Sequence, residues 1–182
     1  MLTREERAAL LALARDTIKA RLEGAAPPRF EPSSASLREP RGAFVTIHKK
    51  GRLRGCIGYV EAVKPLYLTV QEMAAASAFQ DPRFPPLTAS EFDEIDIEIS
   101  VMSPVRRIRS VDEIRVGTHG LIVKSGHRQG LLLPQVAEEQ QWGRDTFLEH
   151  TCYKAGLPGD CWKKPDTEIF VFSAEVFSEK EL

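Results

Sequence analysis

The chain has 182 residues, with 25 Lys and Arg against 26 Asp and Glu and a net charge of −1 at pH 7. This length suits a single domain over residues 1–182, in one or two lobes, that buries its own core without disulfides or metal. The balanced charge excludes a global attraction to nucleic acid or anionic lipid. The first 24 residues have acids in the first turn and no continuous apolar run longer than residues 8–14, so we expect neither a signal peptide nor a membrane span there.

The first predicted element is an amphipathic helix over about residues 3–23. Thr3 and Glu6 form a capping-box pattern, and apolar residues then recur at three-and-four spacing until Gly24. The following segment, about 25–40, contains four prolines and little periodicity. We interpret it as an irregular surface loop.

A hairpin follows in AFVTIHKKGRLRGCIGYV, and its register decides which side Cys56 faces. A two-residue turn would place Cys56 opposite Val45, whereas a three-residue loop over 49–51 would place it opposite Phe44. We favour the three-residue loop because it sorts the two faces better. One face then holds Val45, Ile47, Leu53, Ile57 and Tyr59, and the other holds Thr46, His48, Arg52, Arg54 and Cys56.

The remaining chain alternates helices and strands in an order that favours an α+β fold. Pro65 begins a predicted helix through residue 80, and alternating isoleucines predict a half-buried strand over 95–101. A short helix capped by Ser110, a hairpin over 119–136, a helix ending at Gly156 and a strand over 167–177 complete the prediction.

The hairpin contains the main candidate site, with Cys56 and Arg54 as catalytic candidates. In the favoured register they share a face with Cα atoms roughly 6 to 7 Å apart, and a nearby cation favours the nucleophilic thiolate. Gly55 and Gly58 leave room for a ligand or for another backbone. Thr46 and His48 lie on the neighbouring strand, where His48 is a candidate proton acceptor.

Less specific interpretations of the hairpin stay open. Free cysteine is among the most buried residue types, so Cys56 also fits a small core position. The cations at 49, 50, 52 and 54 equally fit a solvated edge that discourages strand addition.

Asp81 and Arg83 are candidate ligand-positioning residues on the proline-rich loop DPRFPP. The alternative is an internal pair between the two that only fixes the loop. The sequence leaves both interpretations open.

For the other two cysteines we predict a packing role and not a catalytic one. Cys152 lies on an apolar helical stripe and Cys161 stands beside Trp162. The odd total of three cysteines, without a C-x-x-C pair, argues against a secreted disulfide framework. We therefore expect reduced thiols and a cytoplasmic location.

Metal and cofactor motifs are missing from the sequence. The four histidines show no H-x-x-x-H spacing, and there is no P-loop, G-x-G-x-x-G or G-x-S-x-G pattern. We predict no metal site and no cofactor.

Several motifs, in order along the chain, resemble the blocks of the AMMECR domain family, which is also protein A of the AmmeMemoRadiSam system. They are LRGCIG at 53–58, DPRFPPL at 81–87, IEISVMSP at 97–104, GLLLPQV at 130–136, and CYKAGL at 152–157 followed by Trp162. The resemblance implies an α+β domain of two unequal lobes around a mixed, largely antiparallel sheet with a cleft. It places the LRGCIG hairpin in the family's presumed functional surface, and it implies an association with Memo-like and radical-SAM proteins, to which the family is linked by genomic association.

Three functions follow from these patterns. The first is a small-molecule site with thiol-dependent, enzyme-like chemistry at Cys56, of a class that the sequence leaves open. The second is a non-enzymatic adaptor that docks Memo-like or radical-SAM partners through the basic hairpin and the proline-rich loop at about 25–40. The third, nucleic-acid binding, has only the hairpin cations in its favour.

Overall fold

Five α-helices and seven β-strands occur in residues 1–181, the part of the chain that the computed structural model describes. They form two compact units. Unit 1 comprises Met1–Met102 and the residues from Glu175 onward, and unit 2 comprises Ser103–Ala174. The predicted α+β class is confirmed, and each strand pairing with a defined register is antiparallel.

Unit 1 combines three helices with a sheet. Its elements are α1 (Arg4–Leu22), α2 (Ala35–Arg38), β1 (Ala43–Lys49), β2 (Arg52–Tyr59), α3 (Leu66–Phe79), a 3-10 helix (Ala89–Glu94) and β3 (Ile95–Met102). Thr3 and Glu6 form the predicted capping box, with each side chain accepting from the other residue's backbone N–H. The predicted loop at 25–40 contains one short helix, α2, because Ser34 caps residues 35–38.

The unit 1 sheet has β2 at its edge, in the order β2–β1–β3–β7, where β7 is Glu168–Ser178. One face is apolar: Val45, Ile47 and Ile97 are fully buried and belong to a core cluster with residues of α1 and α3. Each aliphatic side chain buried in this way contributes about 1.5–3 kcal/mol. Because side chains alternate along a strand, the polar residues between these apolar ones point to the other face of the sheet. The candidate site lies on that polar face.

The hairpin register differs from both predicted alternatives. Lys50 and Gly51 have positive φ angles of 52° and 76° and form a two-residue turn between Lys49 and Arg52. A β-bulge then adds Arg54 to β2, because His48 pairs with Leu53 whereas Ile47 pairs with Gly55. As a result Cys56 lies opposite Thr46, and not opposite Val45 or Phe44.

The bulge also moves one apolar residue to the polar face. Leu53 was expected on the core face with Val45, but it pairs with His48 and is 42% exposed. Ile57 and Tyr59 lie against the core as predicted.

Unit 2 contains β4 (Arg106–Arg107), a 3-10 helix (Val111–Glu113), β5 (His119–Ser125), β6 (Arg128–Leu132), α4 (Pro134–Glu139), α5 (Arg144–Lys154) and a 3-10 helix (Cys161–Lys163). The strand β7 (Glu168–Ser178) gives residues 168–174 to this unit and 175–178 to unit 1. Within unit 2, β7 pairs with β4 and β5, and β5 pairs with β6. A second core cluster forms here around Leu121, Phe147 and Leu148.

Cys152 and Cys161 form a disulfide between α5 and the 3-10 helix that follows it. The prediction of three reduced thiols is therefore wrong for these two residues. Both are buried in the unit 2 core, so the predicted packing role is compatible with the bond. The odd number of cysteines suggested that none of them is paired. In the structure Cys152 and Cys161 pair with each other, and Cys56 is left as the free thiol.

None of the helices in residues 1–181 is both long enough and apolar enough to cross a membrane.

A candidate thiol site on the unit 1 sheet

Cys56 lies half-buried on the polar face of the sheet, on the edge strand β2. Its neighbours Gly55 and Ile57 face α3, so its own side chain points to the opposite face. The hydroxyl of Thr46, directly across on β1, donates a hydrogen bond to the Cys56 Sγ atom at 3.2 Å. The sulfur is therefore oriented by a polar neighbour, which differs from the small core position that the sequence left open.

Asp81 and Arg83 hold the backbone of Cys56 from both of its polar groups. The Cys56 N–H donates to Asp81 Oδ2 at 2.9 Å, and the Cys56 carbonyl accepts from Arg83 Nη2 at 3.2 Å. The two side chains form an ion pair with each other at 2.7 Å. The internal pair between Asp81 and Arg83 thus forms, and it also fixes the backbone of Cys56. The role of these two residues in positioning a ligand stays a prediction.

The electrostatics of this pair are strongly asymmetric. Asp81 is only 4% exposed, and hydrogen bonds from the Arg83 side chain, together with the Cys56 and Arg83 N–H groups, hold its pKa well below the usual range for aspartate. The Arg83 side chain is 53% exposed, and its pKa is raised chiefly by Asp81 and to a smaller extent by Cys56. Arg83 is thus the guanidinium that contacts the Cys56 carbonyl, and it is open to solvent.

Arg54 does not pair with Cys56 as predicted. Its guanidinium donates to both oxygens of Glu91 at 3.0 Å, and its side chain is only 11% exposed. Arg54 is the main cause that lowers the pKa of Glu91. The guanidiniums of Arg54 and Arg83 lie 5.9 Å and 5.6 Å from the ring centroid of Phe84, which connects the two ion pairs by cation–π contacts.

Gly55 and Gly58 allow backbone atoms of other segments to pack closely against β2. A Cβ atom at Gly55 would overlap the carbonyl oxygen of Ser77 in α3, and one at Gly58 would overlap the carbonyl oxygen of Ala43. The close approach that the glycines predict is therefore made by backbone, so neither residue opens space for a ligand.

Register places three polar side chains in one row across adjacent strands, and we call this the polar row: Cys56 on β2, Thr46 on β1 and Glu98 on β3. At the usual strand spacing, Cys56 and Glu98 have Cα atoms about 10 Å apart. A cavity of about 240 Å³ borders this row and is lined by His48, Glu98 and Asp96 among others.

His48 lies two residues along β1 from Thr46, diagonally across from Cys56 and not opposite it. Glu98 was not among the predicted site residues. Its alternating strand predicts a solvent-facing carboxylate, but the pairing of β1 with β3 is what brings that carboxylate into the row.

The basic hairpin is largely neutralised. Three of its four cations form ion pairs with the 3-10 helix at 89–94: Lys49 and Arg54 with Glu91, and Lys50 with Glu94. Arg52 alone of the four is exposed without an ion-pair partner among residues 1–181. The charge on which adaptor docking and nucleic-acid binding were predicted is thereby reduced.

Comparison with known sequences identifies one family. The AMMECR1 family model matches residues 11–177. The protein MK0488 of Methanopyrus kandleri is 47% identical, over 99% of this chain and 91% of its own length. A protein of Methanothermobacter thermautotrophicus is 45% identical, over 98% of this chain and 96% of its own length.

A solved structure shares the fold. The crystal structure of the uncharacterized protein PH0010 from Pyrococcus horikoshii matches with a TM-score of 0.85 and 39% sequence identity. The match covers 99% of this chain and 94% of that one.

Proposed function

The chain belongs to the AMMECR1 family, and on that basis we propose that it is a small-molecule-binding component of an AmmeMemoRadiSam-type system whose chemistry depends on the Cys56 thiol. The observation that carries this proposal is the support given to Cys56. The Asp81–Arg83 pair contacts both backbone polar groups of Cys56, while its half-buried sulfur accepts a hydrogen bond from Thr46. Functional side chains need such a fixed setting, because misplacement by about 1 Å is costly to catalysis.

The exposure and surroundings of Cys56 support a reactive role over a purely structural one. Structural cysteines are typically buried and inert, whereas reactive ones are partly exposed and lie near cations. Cys56 is half-buried, and its carbonyl contacts the exposed guanidinium of Arg83. The sulfur also faces the same side of the sheet as the cavity lined by Glu98. Cys56 itself does not line that cavity, so a ligand held there would extend along the polar row to reach the sulfur.

The proposed chemistry uses the sulfur as a nucleophile. Its lone pair forms a bond to an electrophilic carbon of the ligand, the leaving group departs with the electron pair of its own bond to that carbon, and the thiol proton passes to solvent. Arg83, the exposed cation beside the site, binds the anionic part of the ligand. Glu98 orients hydroxyl or amine groups from the far end of the polar row.

Alkylation of the intact protein tests the nucleophile role. Because Cys152 and Cys161 are joined in a disulfide, iodoacetamide added without a reductant reports on Cys56 alone. We expect Cys56 to react faster at pH 7 than N-acetylcysteine amide, by about tenfold or more, as measured by intact-protein mass spectrometry.

Two valine variants distinguish the effect of the Thr46 hydroxyl on the alkylation rate from the general effect of a threonine-to-valine substitution. Thr46→Val removes the hydroxyl that contacts the sulfur and should bring the rate towards that of the model thiol. Thr118→Val in unit 2 is the matched control and should leave the rate unchanged. A wild-type rate no greater than that of the model thiol, or no response to Thr46→Val, would contradict a nucleophilic role for Cys56.

A further inference from the structure

A larger cavity lies within unit 2. It has a volume of about 630 Å³ and lies between the segment 107–111 and the segment 167–169, with Trp162 as a further wall. Sites for small molecules typically have volumes of about 300–1,000 Å³. None of its lining residues belongs to the Cys56 site, which is in unit 1.

Two arginines give this cavity a positive charge. Arg107 and Arg109 are separated by Ile108, which is buried and donates its N–H to the β7 backbone, so the two guanidiniums extend from the same side of the segment. Arg107 forms an ion pair with Glu168 at 3.0 Å. The guanidinium of Arg109 has no hydrogen-bond or ion-pair partner among residues 1–181, so the cavity retains one uncompensated cation.

The cavity also contains an unsatisfied hydroxyl. Thr167 lines it, and the Thr167 Oγ1 atom is buried without a hydrogen-bond partner in the described part of the chain. Buried polar atoms are rarely left unpaired, because their desolvation is otherwise uncompensated. An acceptor atom entering the cavity would satisfy this donor.

The remaining wall is apolar and aromatic. The indole of Trp162 packs partly against the unit 2 core, and Val111 and Ile169 line the cavity with it. Indole and aliphatic surfaces of this kind bind the apolar or planar part of a ligand, while a few polar groups fix its orientation.

We propose that this cavity binds a small organic anion. Its carboxylate or phosphate group contacts the guanidiniums of Arg107 and Arg109 and accepts a hydrogen bond from Thr167, and its apolar body lies against Trp162. Arginine suits this role because its planar fork matches both oxyanions. The site is independent of the chemistry proposed for Cys56, so either proposal can fail without the other.

Titration of the ¹⁵N-labelled full chain with three aromatic probes, followed by NMR, tests the proposal. The probes are phenyl phosphate, benzoate and the neutral analogue benzyl alcohol. We expect saturable shifts of the Trp162 indole N–H and of the backbone amides of 108–111 with at least one of the two anions, and weaker binding of benzyl alcohol. The stronger of the two anions identifies the preferred oxyanion. Absence of saturable shifts at these signals with both anions, or equal binding of benzyl alcohol, would overturn the proposal.

Two matched variants locate the anion within the cavity. Arg109→Gln removes the unpaired guanidinium and should weaken the preferred anion about tenfold, the loss expected for a hydrogen bond between charged groups. Arg115→Gln removes an exposed cation of the same unit that does not line the cavity, and should leave affinity within about twofold. Thermal unfolding of both variants checks that the fold is retained. Wild-type affinity in Arg109→Gln, or an equal loss in Arg115→Gln, would show that the anion does not bind where proposed.

Discussion

Replacement of Asp81 by asparagine tests the support of the candidate thiol most fully. The Asp81 carboxylate accepts four hydrogen bonds, from the Cys56 N–H and from three N–H groups of Arg83, and it is almost fully buried. Removing one partner of a buried ion pair costs about 3–5 kcal/mol. The Arg83 side chain is half exposed and regains water, so we expect Asp81→Asn to lower the free energy of unfolding by about 2 kcal/mol at pH 7.

The pH dependence of this loss has a definite sign. Because the pKa of Asp81 is lowered in the folded state, its contribution is complete above the pKa of an unfolded aspartate, about 3.9, and is lost as the pH falls towards the folded value. Urea unfolding followed by circular dichroism should therefore show a gap between wild type and Asp81→Asn that is largest at neutral pH and narrows below about pH 4.

Amide hydrogen exchange measures the effect of Asp81→Asn at Cys56 itself. The Cys56 amide should exchange at least about tenfold faster in Asp81→Asn, because it loses its charged acceptor. Asp16→Asn, an exposed position on α1, is the matched control and should change neither quantity. A free-energy difference within about 0.5 kcal/mol of wild type, or a gap that does not narrow in acid, would refute the role assigned to Asp81.

Two further predictions concern packing and cross-linking. Gly55→Ala should destabilise unit 1 by about 1–3 kcal/mol in urea unfolding, since its Cβ would overlap the Ser77 carbonyl. Gly143→Ala, with open space around it, should cost only about 0.5 kcal/mol, the loss of a glycine N-cap on α5; equal effects would contradict the packing role. Replacing Cys152 and Cys161 together by alanine should lower the stability of unit 2 by about 2.5 kcal/mol, given their separation of 9 residues, as followed by the fluorescence of its two tryptophans. An unchanged midpoint would show that the disulfide adds nothing.

Local signals in the sequence predicted the elements well. The Thr3–Glu6 box marked the beginning of α1, Pro65 directly precedes α3, and the alternation around Ile97 identified β3 as half-buried. These features depend on residues a few positions apart, and the chemistry of caps and periodic burial is sufficient to read them.

The parts of the site that sequence did not predict depend on long-range geometry. The bulge at Arg54 shifts the register by one residue without leaving a mark in the apolar pattern, and it was the reason that Thr46 was not placed opposite Cys56. The partner of Arg54 is Glu91, 37 residues along the chain, and no spacing rule links them. The sequence offered Asp81 and Arg83 as ligand-positioning candidates, but their contact with the Cys56 backbone is visible only in the folded chain.

On this proposal, folding places the Cys56 sulfur in a prepared and accessible setting. Its most direct test compares the alkylation rate of Cys56 in the native chain with the rate in the same chain unfolded in urea at the same pH, without a reductant so that the disulfide stays closed. We expect a higher rate for the native chain. A native rate lower than that of the unfolded chain would mean that the fold shields the sulfur and does not prepare it for chemistry.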